Sequence, residues 1–95
     1  MIIKIDIEGR IVKKVDEGKN IKVAHLPGRI KKDLKHVFAK LSSKIKLIVI
    51  GENFIELWYA FGIFPCDDLS RKTKKRLKRV SKSLKQHLRV YPYYN

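Results

Sequence analysis

Hydrophobic and polar residues alternate along the first quarter of the chain. Ile3, Ile5 and Ile7 share one side of an extended backbone, and the charged residues that separate them share the other. This period of two is typical of a strand with one buried face. It predicts a first strand over residues 2–7 and, after a turn that contains glycine, an antiparallel second strand over residues 11–15.

A third strand is predicted over residues 21–26, which completes a β-meander. The period then changes, because Ile30, Leu34, Val37 and Leu41 follow one another at intervals of four, three and four residues. This spacing places all four on one stripe of an α-helix. The sequence therefore predicts an amphipathic helix after the Pro-Gly pair that ends the third strand.

Two further strands are predicted in the middle of the chain. Residues 44–50 begin with alternation and end fully apolar, which is typical of a central strand. After a turn, residues 54–61 alternate again. Phe61 is expected on one face of this strand with the other odd-numbered residues, and Phe54 and Trp58 are expected on the opposite face.

A long amphipathic helix is predicted over residues 69–89, ahead of an aromatic tail at residues 90–95. Asp67 and Asp68 precede this helix, where they are expected to cap its first turn and to interact with the positive end of its dipole. Its inner stripe consists of Leu69, Thr73, Leu77, Val80, Leu84 and Leu88. The opposite side carries Arg71, Lys75, Lys78, Lys82, Lys85 and Arg89. The helix therefore presents a ridge of positive charge.

These elements follow the order βββ-α-ββ-α in a single domain of residues 1–95. Two amphipathic helices each need an apolar surface to cover, and one face of a mainly antiparallel sheet of about five strands supplies both surfaces. The expected fold class is α+β, with both helices on one side of the sheet and the other side at least partly exposed.

Charge gives the strongest indication of a partner. The formal net charge is +14, from 23 Lys and Arg against 9 Asp and Glu, and no acidic residue follows Asp68. Cations three or four residues apart on a helix repel one another, at a cost of about 0.2–0.5 kcal/mol per pair. A helix shaped only by solubility would interleave glutamate with lysine, so the ridge indicates a polyanionic partner.

We predict that this partner is nucleic acid, either RNA or DNA. The residues expected to contact its phosphates are Arg71, Lys74, Lys75, Arg76, Lys78, Arg79, Lys82, Lys85 and Arg89. Neutralising about six phosphates predicts a log–log salt slope near −5 for duplex DNA. The side chains expected to stack on bases are Trp58, Tyr91, Tyr93 and Tyr94, with Phe54 as a further candidate beside Trp58.

Several other classes of protein are disfavoured. The single cysteine, Cys66, cannot form an internal disulfide, which suits the reducing cytoplasm. No metal-ligand spacing is present, so no metal, cofactor or small-molecule substrate is expected. The apolar segment 47–64 contains Glu52 and Glu56, each costing about 2.5–3.5 kcal/mol at a bilayer centre, which argues against a membrane span.

Two alternatives to a non-catalytic nucleic-acid-binding protein stay open. A metal-independent ribonuclease or toxin can act with Lys, Arg, Tyr or His alone, although no acid pair or His next to a nucleophile is evident. A protein-interaction module or inhibitor would dock its basic helix on an acidic surface, and a homodimer is a further arrangement. The abundance of Lys and Ile resembles a thermophile composition and suggests an archaeal or viral source.

Overall fold

The chain folds into one antiparallel sheet and two helices. The structure, a computed structural model, describes residues 1–65 and 69–90. The strands are β1 (Ile3–Asp6), β2 (Ile11–Lys14), β3 (Lys19–Lys22), β4 (Ile45–Ile50), β5 (Ile55–Tyr59) and β6 (Gly62–Phe64). The helices are α1 (Gly28–Lys40) and α2 (Arg71–Val90). Short 3₁₀ helices at Val15–Glu17 and Val23–His25 flank β3.

The strands lie in the order β3-β2-β1-β4-β5-β6, and every neighbouring pair is antiparallel. β1, whose Ile3 and Ile5 are fully buried, pairs with β4 at the centre, and α1 carries the chain from the β3 edge back to β4. The predicted α+β class and the element order are confirmed. The sheet has six strands where about five were expected.

The additional strand comes from a hairpin within the segment that the alternation assigned to one strand. β5 ends at Tyr59, and Gly62 adopts a φ of 150°, which L side chains rarely adopt. The chain turns at Ala60 and Phe61, and β6 then pairs back along β5. Phe61 therefore lies at the tip of this hairpin, 93% exposed, and not in β5, so the expectation that it continues one face of that strand is wrong.

The third strand is also shorter at its end than predicted. β3 stops at Lys22, and a 3₁₀ turn follows in which Val23 and Leu26, three residues apart, are both buried. A 3₁₀ helix has about three residues per turn, so it returns these two side chains to the same side. The apolar residues that suggested a longer strand thus reach the core by a different local geometry.

One face of the sheet and both helices enclose a single core. A row of cross-strand neighbours runs over the buried face through Ile21, Val12, Ile5, Ile48 and Leu57. Leu34 and Val37 of α1 pack in the same cluster, as do Leu77, Val80, Leu84 and Leu88 of α2. The prediction that both helices cover one face is confirmed. On the opposite face, exposed Lys4 and Lys13 are cross-strand neighbours.

An ion pair joins the two helices. Arg79 of α2 donates two hydrogen bonds to Asp33 of α1, from Nε to Oδ2 at 3.0 Å and from Nη2 to Oδ1 at 2.9 Å. The Asp33 side chain is 11% exposed and that of Arg79 is 60% exposed. A fork of two parallel bonds fixes both position and direction, so the pair aligns α2 against α1.

We expect Asp33→Asn to lower the free energy of unfolding by about 1–3 kcal/mol, because an amide replaces one acceptor of this bidentate bond with a donor. The measurement is urea unfolding followed by the fluorescence of the single tryptophan, Trp58. Arg79→Lys serves as the matched variant, since lysine keeps the charge without the fork. Full stability in both variants would contradict a structural role for the pair.

Candidate functional site

Helix α2 begins with a hydroxyl cap. The Thr73 backbone N–H donates to Ser70 Oγ at 3.2 Å, and Ser70 Oγ lies 2.9 Å from Thr73 Oγ1. The Lys74 N–H donates to the Ser70 carbonyl at 3.0 Å and closes the first turn. Serine is among the favoured residues at this position. The predicted cap, Asp67 and Asp68, lies outside the described residues.

The sides of α2 are chemically distinct. Leu77, Val80, Leu84 and Leu88 are buried against the sheet, as the inner stripe predicts. Each residue advances about 100° around the helix axis, so the basic residues fall on the remaining sides. Lys75, Lys78 and Lys82 are exposed and form no ion pair with any residue in the described part of the chain. With 20 residues, α2 is about 30 Å long.

The predicted phosphate-binding residues divide into separate groups. Lys74, Lys78, Lys82 and Lys85 border a groove between α2 and the loop that joins β4 to β5. Arg76, on the side toward α1, borders a different depression together with Lys72, His36 and Lys40. Arg79 is held by Asp33. Arg71, Lys75 and Arg89 are exposed on the outer side of the helix. The structure therefore does not bring all nine residues together.

The groove beside α2 combines an apolar floor with a cationic rim. Its floor is lined by Phe54, Ile55, Leu69 and Leu77. Its rim is formed by Lys74, Lys78, Lys82 and Lys85. We call this feature, with a volume of about 510 Å³, the α2 groove. Its size is within the range of about 300–1,000 Å³ that small-molecule sites occupy, so it has room for a planar ring.

The ring of Phe54 packs closely against the backbone at Gly51. A Cβ at position 51 would overlap Cε1, Cζ and Cδ1 of that ring, so only glycine leaves the space that the ring occupies. The Gly51 N–H donates to the Phe54 carbonyl at 2.9 Å, which closes a tight turn between the two residues. The Phe54 side chain is 49% exposed. One part of the ring is therefore covered, while the rest faces the groove.

Phe54 does not share a sheet face with Trp58, so that expectation is wrong. β5 begins at Ile55, and Phe54 belongs to the preceding turn, where strand alternation does not apply. Its ring borders the same groove as Leu77 of α2, on the helix side of the sheet. Sequence reasoning named Phe54 as an aromatic candidate but placed it on the wrong side, because the alternation was extended one residue too far.

Trp58 lies on the open face of the sheet. Its cross-strand neighbours are Leu47 and Ile63, and its Nε1 donates to Glu56 Oε1 at 3.4 Å. The indole is therefore on the far side of the sheet from α2, and the structure does not bring it to the basic ridge. The remaining predicted stacking residues, Tyr91, Tyr93 and Tyr94, lie outside the described residues.

The loop at one end of the α2 groove is tied to the helix and to the N-terminus. Lys85 Nζ donates to the backbone carbonyl of Glu52 at 3.1 Å. The Glu52 carboxylate accepts a hydrogen bond from the Met1 ammonium, which lowers the pKa of Glu52 and raises that of the ammonium group. Glu52 is therefore ionised at neutral pH, so this end of the groove is less positive than the rest.

A second basic depression lies along the outer side of α1. It is lined by the cations Arg10, Lys22, Lys31, Lys32 and Lys35, and its volume is about 750 Å³. It shares no residue with the α2 groove, and its walls come from β2, β3 and α1. Lys32 and Lys35 thus face a different region from Lys78 and Lys85. The aromatic ring near this depression, Phe38, is covered by Arg10 at 5.8 Å.

Neither a metal site nor a membrane-spanning helix is found in the described part of the chain. Within residues 1–65 and 69–90, no cluster of three or more His, Cys, Asp or Glu is arranged to hold a metal ion. None of the helices described there has the length and apolar character needed to cross a bilayer.

Burial lowers the pKa of His87, so this side chain adds no charge to α2 at neutral pH.

Comparison of the chain with protein-family models, curated proteins and solved structures finds no match. Its function is therefore inferred from its own geometry and charge.

Proposed function

We propose that the protein binds nucleic acid through the basic side of α2 and has no catalytic activity of its own. The observation that carries this proposal is the row of exposed lysines, Lys75, Lys78 and Lys82, of which Lys78 and Lys82 also border the α2 groove. No carboxylate occurs anywhere on α2. Nucleic-acid phosphates supply a regular array of negative charge that such a surface neutralises.

The energetics of α2 favour a binding role over simple solubility. Successive cations at intervals of three and four residues repel each other by about 0.2–0.5 kcal/mol per pair. A domain of this size has about 5–15 kcal/mol of stability in total, so several such pairs are a measurable burden. A bound polyanion removes the repulsion. The helix is also about 30 Å long, close to one turn of B-form DNA at about 34 Å, so it spans several phosphates.

The groove offers little for catalysis. A ribonuclease needs an acid and a base within hydrogen-bond reach of the scissile phosphate and the attacking hydroxyl. Among the described residues that line the α2 groove, Glu52 is the only one with a carboxyl or imidazole group, and it is paired with the Met1 ammonium. The other charged groups of the groove are lysines, whose ammonium groups donate hydrogen bonds but have no acceptor to serve as a base. This favours binding without cleavage. The single cysteine favours the reducing cytoplasm as the place where binding occurs.

The test is a titration of fluorescently labelled single-stranded, duplex and structured RNA and DNA at several salt concentrations. We expect sub-micromolar dissociation constants in low salt for at least one of these forms. The logarithm of affinity should fall linearly with the logarithm of salt concentration, because binding releases counterions. The absence of sub-micromolar binding to every form in low salt would overturn the proposal.

Two further measurements separate the alternatives. Incubation of labelled RNA with the protein and a chelator, followed by gel electrophoresis, tests for metal-independent cleavage, and we expect intact RNA. A protein-interaction module would instead form a stable complex with an acidic protein surface and show no affinity for free nucleic acid.

A further inference from the structure

The α2 groove has the two features that recognise an unpaired nucleotide. Proteins that bind single strands combine a positively charged channel with aromatic rings on which bases stack. Phe54 supplies a half-exposed ring, and Lys78, Lys82 and Lys85 line the wall beside it. Because the ring packs against the backbone at Gly51, its rotation is restricted before any ligand arrives. A ring that is already restricted loses less conformational freedom when a base covers it.

We propose that the α2 groove is a single-strand site, in which one unpaired base stacks on Phe54 and the adjoining phosphates contact Lys78, Lys82 and Lys85. This inference rests on the proposed function and specifies its ligand as single-stranded RNA or DNA. A duplex satisfies the lysines but not the ring, because its bases are already stacked on one another. The groove therefore favours single strands over duplexes.

The spacing of the lysines supports this assignment. Lys74, Lys78 and Lys82 are four residues apart, so their Cα atoms are separated by about 6 Å along the helix axis. This rise is comparable to the distance between successive phosphates of one extended strand. The apolar floor of Ile55 and Leu77 lies beneath the rim, where a base edge is shielded from water. The ring and the floor thus suit the base of one strand, and the rim suits its phosphates.

The charge distribution also limits where the strand lies. At one end of the groove the Glu52 carboxylate is paired with the Met1 ammonium, so this ion pair offers no net positive charge to a phosphate. Lys85 is tied to the Glu52 carbonyl at the same end, whereas Lys78 and Lys82 form no ion pair with a described residue. Three lysine contacts at roughly 0.7 counterions each predict a log–log salt slope near −2 for a single strand.

The first experiment compares substitutions at Phe54 by fluorescence anisotropy with labelled single strands and duplexes, each as RNA and as DNA. Phe54→Ala and Phe54→Leu should weaken single-strand binding roughly 5- to 150-fold, the range expected for one stacked base, with duplex affinity nearly unchanged. Phe54→Trp should keep or increase single-strand affinity, because indole is a larger stacking surface. The control is Phe61→Ala, which removes an exposed ring outside the groove and should change nothing.

A second variant tests whether the position of the Phe54 ring matters, because it displaces the ring without removing it. Gly51→Ala places a methyl group where the Phe54 ring lies, so the ring must move. The overlapping atoms belong to the far end of a side chain, so the ring can swing aside and the fold should persist. We expect Gly51→Ala to weaken single-strand binding in the same direction as Phe54→Ala. Unchanged far-ultraviolet circular dichroism and urea unfolding would establish that the fold is intact.

The outcomes distinguish this inference from the proposed function. If the wild-type protein binds no form of nucleic acid, the proposed function itself fails. If the wild type binds but Phe54→Ala weakens single strands no more than Phe61→Ala does, the single-strand site is overturned and the function stands. Wild-type affinity in Phe54→Leu would also overturn it, since leucine keeps apolar contact without stacking. A loss confined to RNA or to DNA supports the site and identifies which strand it takes.

Discussion

Reversing Lys75, Lys78 and Lys82 together to glutamate is expected to abolish nucleic-acid binding at physiological salt while leaving the fold intact. The three side chains are exposed, and none belongs to the core cluster. The change removes three attractive charges and introduces three repulsive ones. At roughly 1 kcal/mol per charge facing a phosphate in water, the loss of affinity is on the order of 10²–10⁴-fold.

The control for this variant has the same change in charge at another place. Lys4, Lys13 and Lys44 are exposed and lie away from the α2 groove, with Lys4 and Lys13 on the open face of the sheet. Replacing these three lysines with glutamate lowers the formal net charge by six, from +14 to +8, which is the same change that the α2 reversal makes. We expect only a small loss of affinity from this control. Equal losses in the two variants would show that total charge, and not α2, determines binding.

The second basic depression needs its own comparison. Reversal of Lys22, Lys32 and Lys35 again lowers the net charge by six units but leaves α2 unchanged. Affinity should fall less than for the α2 reversal, because this depression holds no exposed aromatic ring among its described lining residues. A larger loss of affinity in this variant than in the α2 reversal would show that the principal binding surface lies on α1.

Stability distinguishes a binding role of the ridge from a structural one. A glutamate at position 75 faces Arg71 and Arg79 one turn away on either side, and a glutamate at position 78 faces Lys74. Like-charged pairs thereby become attractive pairs of about 0.2–0.5 kcal/mol each. We therefore expect the triple reversal to unfold at the same urea concentration as the wild type or at a higher one. The lysines proposed to bind nucleic acid therefore lower the stability of α2 in the unbound protein, because they repel one another.

The regular elements were predictable because their patterns are repeated. Ile3 and Ile5 alternate with charged residues, and α2 repeats its apolar stripe over about five turns, so several residues support each period. The covering of one sheet face by both helices followed from the need to bury two apolar stripes. The same periodicity located the basic ridge, because the residues opposite a buried stripe are necessarily exposed.

The features that escaped prediction depend on turns and on contacts between distant segments. Phe54 and Phe61 flank β5, and each lies one or two residues beyond its end, where alternation no longer fixes the direction of a side chain. Arg79 looked like any other cation of the ridge, yet Asp33, 46 residues earlier, binds it. The second basic depression joins three elements, so no single segment of sequence contains it.

The α2 groove depends both on helical periodicity, which the sequence shows, and on the geometry of a turn, which it does not. Its lysines were predictable from helical spacing, whereas its aromatic floor depends on a turn that returns Phe54 over Gly51. Sequence reasoning assigned stacking to Trp58, which the pleat of β5 directs to the other face. The glycine before the turn was the available signal, because a residue without a side chain is required where a ring lies against the backbone.

The largest effect on stability is expected from Leu84→Ala, which should lower the free energy of unfolding by about 2–5 kcal/mol. Leu84 is fully buried in the C-terminal half of α2, where it belongs to the core cluster. Truncation to alanine leaves a cavity that the surrounding side chains fill only in part. The measurement is urea unfolding followed by tryptophan fluorescence.

The matched control is Val90→Ala, which removes apolar atoms from a residue of the same helix that is 59% exposed, and it should change stability by less than about 0.5 kcal/mol. Below its unfolding temperature, Leu84→Ala should bind nucleic acid as tightly as the wild type, since it alters no charge. Weakened binding by the folded Leu84→Ala protein would show that the ridge and the core are coupled. We expect Leu84→Ala to lose stability but keep its affinity, and the lysine reversal to lose affinity but keep its stability. Together these results would show that one side of α2 stabilises the fold and the other binds the ligand.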